Sequence, residues 1–546
     1  MWSQLLNINI LITYYCTLHR HTIAIMAPPS IHEEHDEIKQ SSKPVAEQRV
    51  TLLACALGAV ASIGGFIFGY VSGEISGFFL MRDFGERFGQ INDDGTIVFS
   101  AARQGTITSL LCIGALIGAL VAGKMADSIG RRLTISASAF FTCLGTIIEI
   151  SSRSSWVQPA IGRLVTGVSI GALSVVVPMY QSESVPAKIR GVVVSTYQLL
   201  ITLGIWTAAM VNWGTESASS SASWRIPNGL SFAWALVLGG GILFLPESPR
   251  YAYYRGRTVE ARETISRLTG MAPDSATVEE EIAELEKQIS EEKNSTADFR
   301  WTEIFTAPRM FYRTTLGIVL MAGQQLTGCN FFFYFGTTLF KSTGIENSYT
   351  TQIILASVNV FCTIIGLWII QRFGRRIILL VGAGWMMVCF FIYAFVGHFA
   401  IDSENPMNTP TAGTVLVAFS CLAIAAFAVS WGPLAWAVNA ELFPLRYRGA
   451  CMGLATAANW FWNFLISFFT RFITDDIGYL YGLVFAGCCA ALMVIVFFFV
   501  IESKDRTLEE IDLMYINKVN PIKSASWTKA DIKANLREGR GEESSA

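Results

Sequence analysis

Between Leu52 and Val500 the chain passes through about twelve apolar, nearly uncharged stretches, each near the roughly 20 residues that a helix needs to cross a bilayer. That repetition constrains the fold more than any other feature. Of 546 residues, 52% are hydrophobic and only 15% charged, too little charge to cover the surface of a soluble protein of this size. An all-α integral membrane protein is therefore expected, with spans near 52–73, 104–126, 133–151, 157–181, 191–212, 229–245, 314–335, 351–371, 377–399, 413–438, 449–472 and 478–500. A formal net charge of −2 gives no reason to expect a nucleic-acid partner. Apart from Cys16, the cysteines lie in apolar segments without CxxC spacing or loop clustering and read as small core residues. None of His19, His21, His32, His35 and His398 sits deep in a span beside a carboxylate. No metal site, no cofactor and no enzyme are expected.

The first 25 residues lack a basic start and a small-residue cleavage site, so a cleaved signal is not expected. A polar tail begins at Met26, which is expected to be the true start, with 1–25 an extension. The short connections alternate in charge. One set carries Lys124, Arg131, Arg132, Lys188, Arg190, Arg372, Arg375, Arg376, Arg446 and Arg448; the other carries Asp93, Asp94, Glu216, Glu346, Asp402, Glu404, Asp475 and Asp476. The positive-inside rule puts the basic set, and with an even number of spans both tails, in the cytoplasm. The division expected is an N-terminal tail over 1–50, a six-helix half over 51–246, a cytoplasmic linker over 247–313, a second half over 314–501 and a tail over 502–546. Within the linker Val278, Ile282, Leu285 and Ile289 form one helical stripe among acidic neighbours, after a first helix over Arg257–Leu268. An acidic polar face suits docking on the span ends better than lying on a membrane. The acceptor pattern Asn294-Ser295-Thr296 falls in this cytoplasmic stretch and is expected to stay unmodified.

The halves repeat each other. Glu183-Ser-Val-Pro186-Ala-Lys-Ile-Arg190-Gly191 has the spacing of Glu441-Leu-Phe-Pro444-Leu-Arg-Tyr-Arg448-Gly449. Gly130-Arg131-Arg132 is echoed by Gly374-Arg375-Arg376, and Pro246-Glu247-Ser248 by Ile501-Glu502-Ser503. Two homologous six-span halves that rock about a shared site is the arrangement of a transporter.

From about residue 51 to 512 the sequence resembles the sugar porter family of the major facilitator superfamily, in particular fungal monosaccharide transporters. The resemblance rests on Gly65-Phe-Ile-Phe-Gly69-Tyr70, Asp127-Ser-Ile-Gly-Arg-Arg132, Gly162-Arg163, Pro178-Met-Tyr-Gln-Ser-Glu183, Pro246-Glu-Ser-Pro-Arg250, Gln324-Gln325-Leu-Thr-Gly328-Cys-Asn330, Gly432-Pro433-Leu-Ala-Trp436 and Arg506-Thr-Leu-Glu-Glu-Ile, all in order. It implies a monosaccharide carrier, for hexose and also pentose, in the plasma membrane, working as a monomer. A membrane sensor that binds sugar without moving it is the rival reading; the short tail after Glu502 favours the carrier.

Carboxamides suit sugar hydroxyls because each offers two donors and an acceptor with no charge to desolvate. Helical spacing lets Gln325, Asn330 and Tyr334 line one side of a helix. The resemblance assigns Gln324, Gln325 and Asn330 to the sugar, with Gln198, Asn359, Asn459 and Asn463, and has Trp436 close over it with Trp460 nearby. A lone membrane amide serves equally well as glue between helices; two adjacent glutamines in an apolar run cost several kcal/mol unless partnered. Phe331, Phe332, Phe333 and Phe335 are expected to pack rather than bind.

Asp127, Arg131, Arg132, Glu183, Arg190, Glu441 and Arg448 read as a cytoplasmic gate whose charges pair between the halves when the inner side closes. One departure bears on energy coupling. Proton-coupled sugar porters carry an aspartate after the Gly-Tyr of the first span, facing an arginine in the fourth; here Arg163 is present but the aspartate position is Val71. Glu74, about one turn away, is the coupling candidate with Arg163, while a shift in depth of roughly 5 Å favours uniport over proton symport.

Overall fold

The computed structural model describes residues 51–91, 96–185, 187–296, 300–341, 347–402, 409–504, 506 and 508–527. The readings made at Cys16, His19, His21, Met26, His32, His35, Asp93, Asp94, Glu346 and Glu404 lie outside the described residues, as does the tail beyond Trp527.

The first six spans are Leu52–Phe78, Ala101–Ile129, Arg131–Ile150, Val157–Ser184, Ala187–Thr215 and Ala222–Leu243. After a linker come Met310–Leu326 with Cys329–Lys341, then Ser348–Arg372, Arg375–Phe399, Pro410–Val429 with Trp431–Leu442, Leu445–Ile477 and Tyr481–Phe499. Spans seven and ten are thus broken, the former by a 41° bend. The run Arg446–Phe499 has 54 residues, far more than one crossing needs. It reverses at Gly478, whose φ is +56°. Arg446 then reaches Glu303 at 2.9 Å and the Phe499 carbonyl accepts from Tyr312 at 2.8 Å, so both ends of the hairpin return to the basic side. Twelve crossings result among the described residues.

Helix contact in lipid gains nothing from apolar transfer, so it depends on close approach of small residues. Gly114 and Gly118 of span two meet Gly167 and Gly171 of span four, each pair spaced by four. A Cβ at Gly171 would lie 1.9 Å from the Ala115 carbonyl oxygen and one at Gly114 2.0 Å from that of Leu164. Span one bears glycines at 65, 69, 73 and 77 and packs on span five in the same way, with 1.9 Å left between a Cβ at Gly69 and the Ile201 carbonyl.

The linker forms helices Pro249–Tyr254, Thr258–Thr269 and Ala276–Thr296, followed by Glu303–Thr306. Val278, Ile282 and Ile289 are buried and Leu285 half-buried, as the stripe predicted, and Val278 and Ile282 pack with Ala252, Ala261 and Ile265. The Thr51 hydroxyl donates to the Leu268 carbonyl at 2.8 Å, which ties the linker to the first span. Asn294–Thr296 end the third linker helix. At the far end from the basic loops a short helix, Arg82–Phe88, and an antiparallel pair, Gln90↔Val98 and Ile91↔Ile97, follow span one. Burial pushes the Asp83 carboxyl up, but hydrogen bonds from Arg87 and the Trp224 indole outweigh it and hold it below the usual range.

Replacing Gly171 by valine should force spans two and four apart and cost about 1–3 kcal/mol. Gly240→Ala, where nothing lies within 4 Å of the new Cβ, should be tolerated. Thermal unfolding of the detergent-solubilised protein compares the two.

Candidate substrate and coupling sites

The break in span seven follows from Gly328, which adopts φ +81°. There a Cβ would strike the Phe485 ring at 2.5 Å. Thr327 closes the first half-helix by donating its hydroxyl to the Gln324 carbonyl at 2.6 Å. Gln325 and Asn330 therefore sit on two different half-helices rather than along one. They still meet, because Asn330 donates to Gln325 Oε1 at 2.5 Å.

The amides form one network. Gln324 Nε2 donates to the carbonyls of Gly432 at 2.8 Å and Trp431 at 3.2 Å, next to the break in span ten. Asn459 Nδ2 donates to Gln324 Oε1 and to the Met321 carbonyl, both at 2.8 Å, and Asn459 Oδ1 accepts from Gln325 at 3.0 Å. Gln324 and Asn459 are thus engaged by protein on every side. Asn330 is only partly buried, and its one hydrogen bond to protein leaves a donor and its carbonyl oxygen for a ligand. Asn463 is buried with its Oδ1 unpartnered and lies against the Tyr334 hydroxyl, which also approaches Cys112.

Gln198 is half-buried and Asn359 buried, and neither joins this network by a hydrogen bond. Trp436 is half-buried against the core of the second half. Trp460 turns toward the first half, 5.4 Å from the Phe68 ring, with its indole nitrogen buried and unpartnered. The phenylalanines pack as expected: Phe331 and Phe332 join an aromatic cluster with Phe390, Tyr393 and Phe485.

Of the residues expected to pair between the halves at the basic end, each observed ion pair lies within one half. Arg131 binds Glu183 at 2.9 Å and Asp127 at 3.2 Å, while Glu247 accepts from the main-chain N–H groups of Arg131 and Arg132. In the second half Arg375 binds Glu441 at 3.4 Å, and Glu502 accepts from the N–H groups of Arg375 and Arg376. Ser248 and Ser503 donate to Glu183 and Glu441 at 2.6 and 2.5 Å. The recurrence of Glu183 and Glu441 at identical spacing is thus explained by a repeated cluster inside each half. Arg132 also donates to the Leu245 carbonyl at 3.1 Å. Arg448 faces Arg250 and Glu441; the Arg190 side chain is outside the described residues.

Hydrogen bonds between the halves gather instead toward the far end. Tyr349 donates to the Gly77 carbonyl at 2.8 Å, Trp206 to Ser357 at 2.9 Å and Asn347 to Glu216 at 3.4 Å. Burial pushes the Glu216 carboxyl up, against the Asn347 amide.

The coupling candidates fall in one buried cluster. Glu74 and Arg163 are both 1% exposed, Glu74 in a span one that runs unbroken past Val71 and Arg163 in span four. Glu74 thus lies within electrostatic reach of Arg163 despite the shift of one turn. Glu149 of span three joins them and was missed; its signal was a lone carboxylate in the apolar run Leu144–Ile150.

Two packed six-helix halves with polar side chains gathered at broken spans define a membrane carrier of the major facilitator fold, not an enzyme. The profile described as "Sugar (and other) transporter" matches residues 57–515, and the chain belongs to that family. The low-affinity glucose transporter HXT1 of Saccharomyces cerevisiae is 43% identical over 481 residues, 88% of this chain and 84% of that protein. The high-affinity fructose transporter ght6 of Schizosaccharomyces pombe is 40% identical over 488 residues, 88% and 91% of the two chains. Among solved structures, the proton:xylose symporter XylE bound to 6-bromo-6-deoxy-D-glucose aligns with a TM-score of 0.71 at 22% identity, over 86% of this chain and 100% of that one.

Gln324→Ala removes bonds that stitch span seven to spans ten and eleven. It should lower the stability of the sugar-free protein by about 1–3 kcal/mol, read as a fall in its thermal midpoint.

Proposed function

We propose that this chain carries a monosaccharide, glucose or a related hexose, across the plasma membrane by alternating access, with the basic loops and both termini in the cytoplasm. The observation that carries the reading is the amide network at the span-seven break. Gln324 and Asn459 form its fixed frame, and Gln325, Asn330 and Asn463 present what remains to a ligand. Gln198, Asn359 and Trp436 complete the proposed lining from spans five, eight and ten; Trp460 borders it from span eleven.

The chemistry fits a neutral polyhydroxylated ring. Each free amide group matches a hydroxyl that donates and accepts, and no charge has to be desolvated when the sugar leaves. The names of the glucose and fructose transporters that the chain resembles support hexose as the class, and they are names of carriers rather than sensors. Closure at the far end, with charge clusters confined to each half at the basic end, suits a conformation open to the cytoplasm. Approach of the Asp127–Arg131–Glu183 cluster, with Arg132 and Arg190, to the Arg375–Glu441 cluster, with Arg448, would accompany the return stroke, because pairs formed between them would bias a two-state equilibrium by up to a few kcal/mol. A single chain contains the whole of this machinery.

Uptake of radiolabelled glucose into yeast lacking its own hexose carriers tests the proposal: saturable uptake is expected, and none despite surface expression would refute it. Gln325→Ala and Asn330→Ala should each weaken sugar binding by about 1–3 kcal/mol, seen as a roughly 5- to 150-fold rise in the apparent dissociation constant. Trp436→Ala should lower uptake at unchanged surface abundance.

A further inference from the structure

Glu149 takes no part in the sugar site, yet it is 3% exposed inside a membrane span. Its carboxylate is fixed from two sides. Asn228 of span six donates to one oxygen at 2.8 Å and Thr166 of span four to the other at 3.2 Å. A Cβ at Gly162 would meet the Glu149 side chain at 2.4 Å, so only glycine there lets the carboxylate lie flat against span four.

The surroundings are otherwise spare. Glu74 has a single long contact, from the Ser231 hydroxyl at 3.5 Å. All three guanidinium nitrogens of Arg163 are buried without a hydrogen-bond partner, yet both glutamates are within its electrostatic reach. The other groups facing the cluster are neutral or weakly ionising. Tyr70 of span one donates to the Pro227 carbonyl, and Asn212 of span five to the Glu74 carbonyl. Cys112 of span two and Tyr334 of span seven stand toward Arg163.

Arginine does not deprotonate in proteins. One guanidinium and two ionised carboxylates would leave a net negative charge buried in a medium that penalises it by several kcal/mol. One proton held on a carboxylate removes it. Both oxygens of Glu149 already accept from donors, whereas those of Glu74 are nearly free. The proton therefore belongs on Glu74.

We propose that Glu149 is the standing counter-ion of Arg163, and that its presence obliges Glu74 to take up and release one proton in each sugar-transport cycle. The carrier is then a proton symporter, in place of the uniporter that Val71 alone suggested. The proton enters from external water onto the Glu74 carboxylate and leaves to the cytoplasm when the halves rock. Tyr334 links the two sites: it stands one turn beyond Asn330 on the same half-helix and faces Arg163, so seating a sugar at Asn330 bears directly on the cluster. This inference rests on the carrier reading above.

The test uses the purified full chain in proteoliposomes with labelled glucose. Exchange at equal pH on both sides tests the carrier alone; an imposed proton gradient tests the inference. With alkaline inside, wild type should accumulate glucose above equilibrium, at most about tenfold per pH unit for one proton per sugar. Glu149→Gln gives Arg163 to Glu74, which then stays ionised. Accumulation should collapse to equilibrium and the pH profile flatten, with Glu149→Asp restoring part of both. Exchange by wild type without proton-driven accumulation overturns the inference while sparing the carrier. So does accumulation driven by a sodium gradient instead, or a Glu149→Gln variant that keeps the wild-type pH profile. Direct measurement of proton uptake per glucose in wild type decides the matter even if the variants fold poorly.

Discussion

In a bilayer every main-chain N–H and C=O has to find its partner inside the protein, and an unbroken helix is the simplest way to meet that demand. Spans seven and ten break it, and side-chain amides make up the deficit. Gln324 takes the carbonyls of Trp431 and Gly432, Asn459 takes that of Met321, and the Thr327 hydroxyl takes that of Gln324. The polar groups that make a membrane interior costly are gathered where the backbone already needs them. The sugar site proposed there needs little added expense, because the fixed members of the network orient the free ones. Gln325 is held by Asn459 and in turn holds Asn330, so the groups left for a ligand are positioned before it arrives.

The same logic of local satisfaction governs the basic end. Glu247 and Glu502 each cap the N-terminus of the helix that begins with a Gly-Arg-Arg, where unpaired N–H groups favour an anion. Glu183 and Glu441 then each bind the first arginine of that pair and a serine beside the capping glutamate. The motif binds three segments of one half into a rigid unit. Two such units, related by repetition and joined by a linker docked on its own hydrophobic seam, can move against each other without internal rearrangement. The bonds between halves are single contacts toward the far end, as rocking requires.

The parts of this legible in the sequence are those written in local pattern. Twelve apolar stretches, the charge alternation, the repeated Glu-x-x-Pro segments, the linker stripe and the amide run all lie within short windows. What escaped depends on geometry between distant segments. The break at Gly328 was hinted at by Thr-Gly, but an apolar run on both sides made it read as one helix. Glu183 and Glu441 recur at one spacing, and spacing shows recurrence without showing the partners each has inside its own half. Glu149 was passed over since its significance comes from Arg163 and Glu74, fourteen and seventy-five positions away in the chain.

That last omission bears on how coupling moves along a helix in evolution and design. Depth alone argued that a carboxylate at 74 could not replace one at 71, because a pairwise ion contact is sensitive to a few ångströms. A cluster is less so. In a low-dielectric interior the energy of a charge falls slowly with distance, and Glu74 need only share a pocket with Arg163 rather than touch it. Once Glu149 is fixed by Asn228 and Thr166, the balance of the pocket depends on the number of charges it holds more than on their spacing. A titratable group can then occupy any position lining it. The glycines at 69, 73 and 77 keep span one close against span five, and Asn212 anchors the carbonyl of Glu74 itself. The carboxylate thus sits among tightly packed helices of the first half, which must loosen for it to reach water.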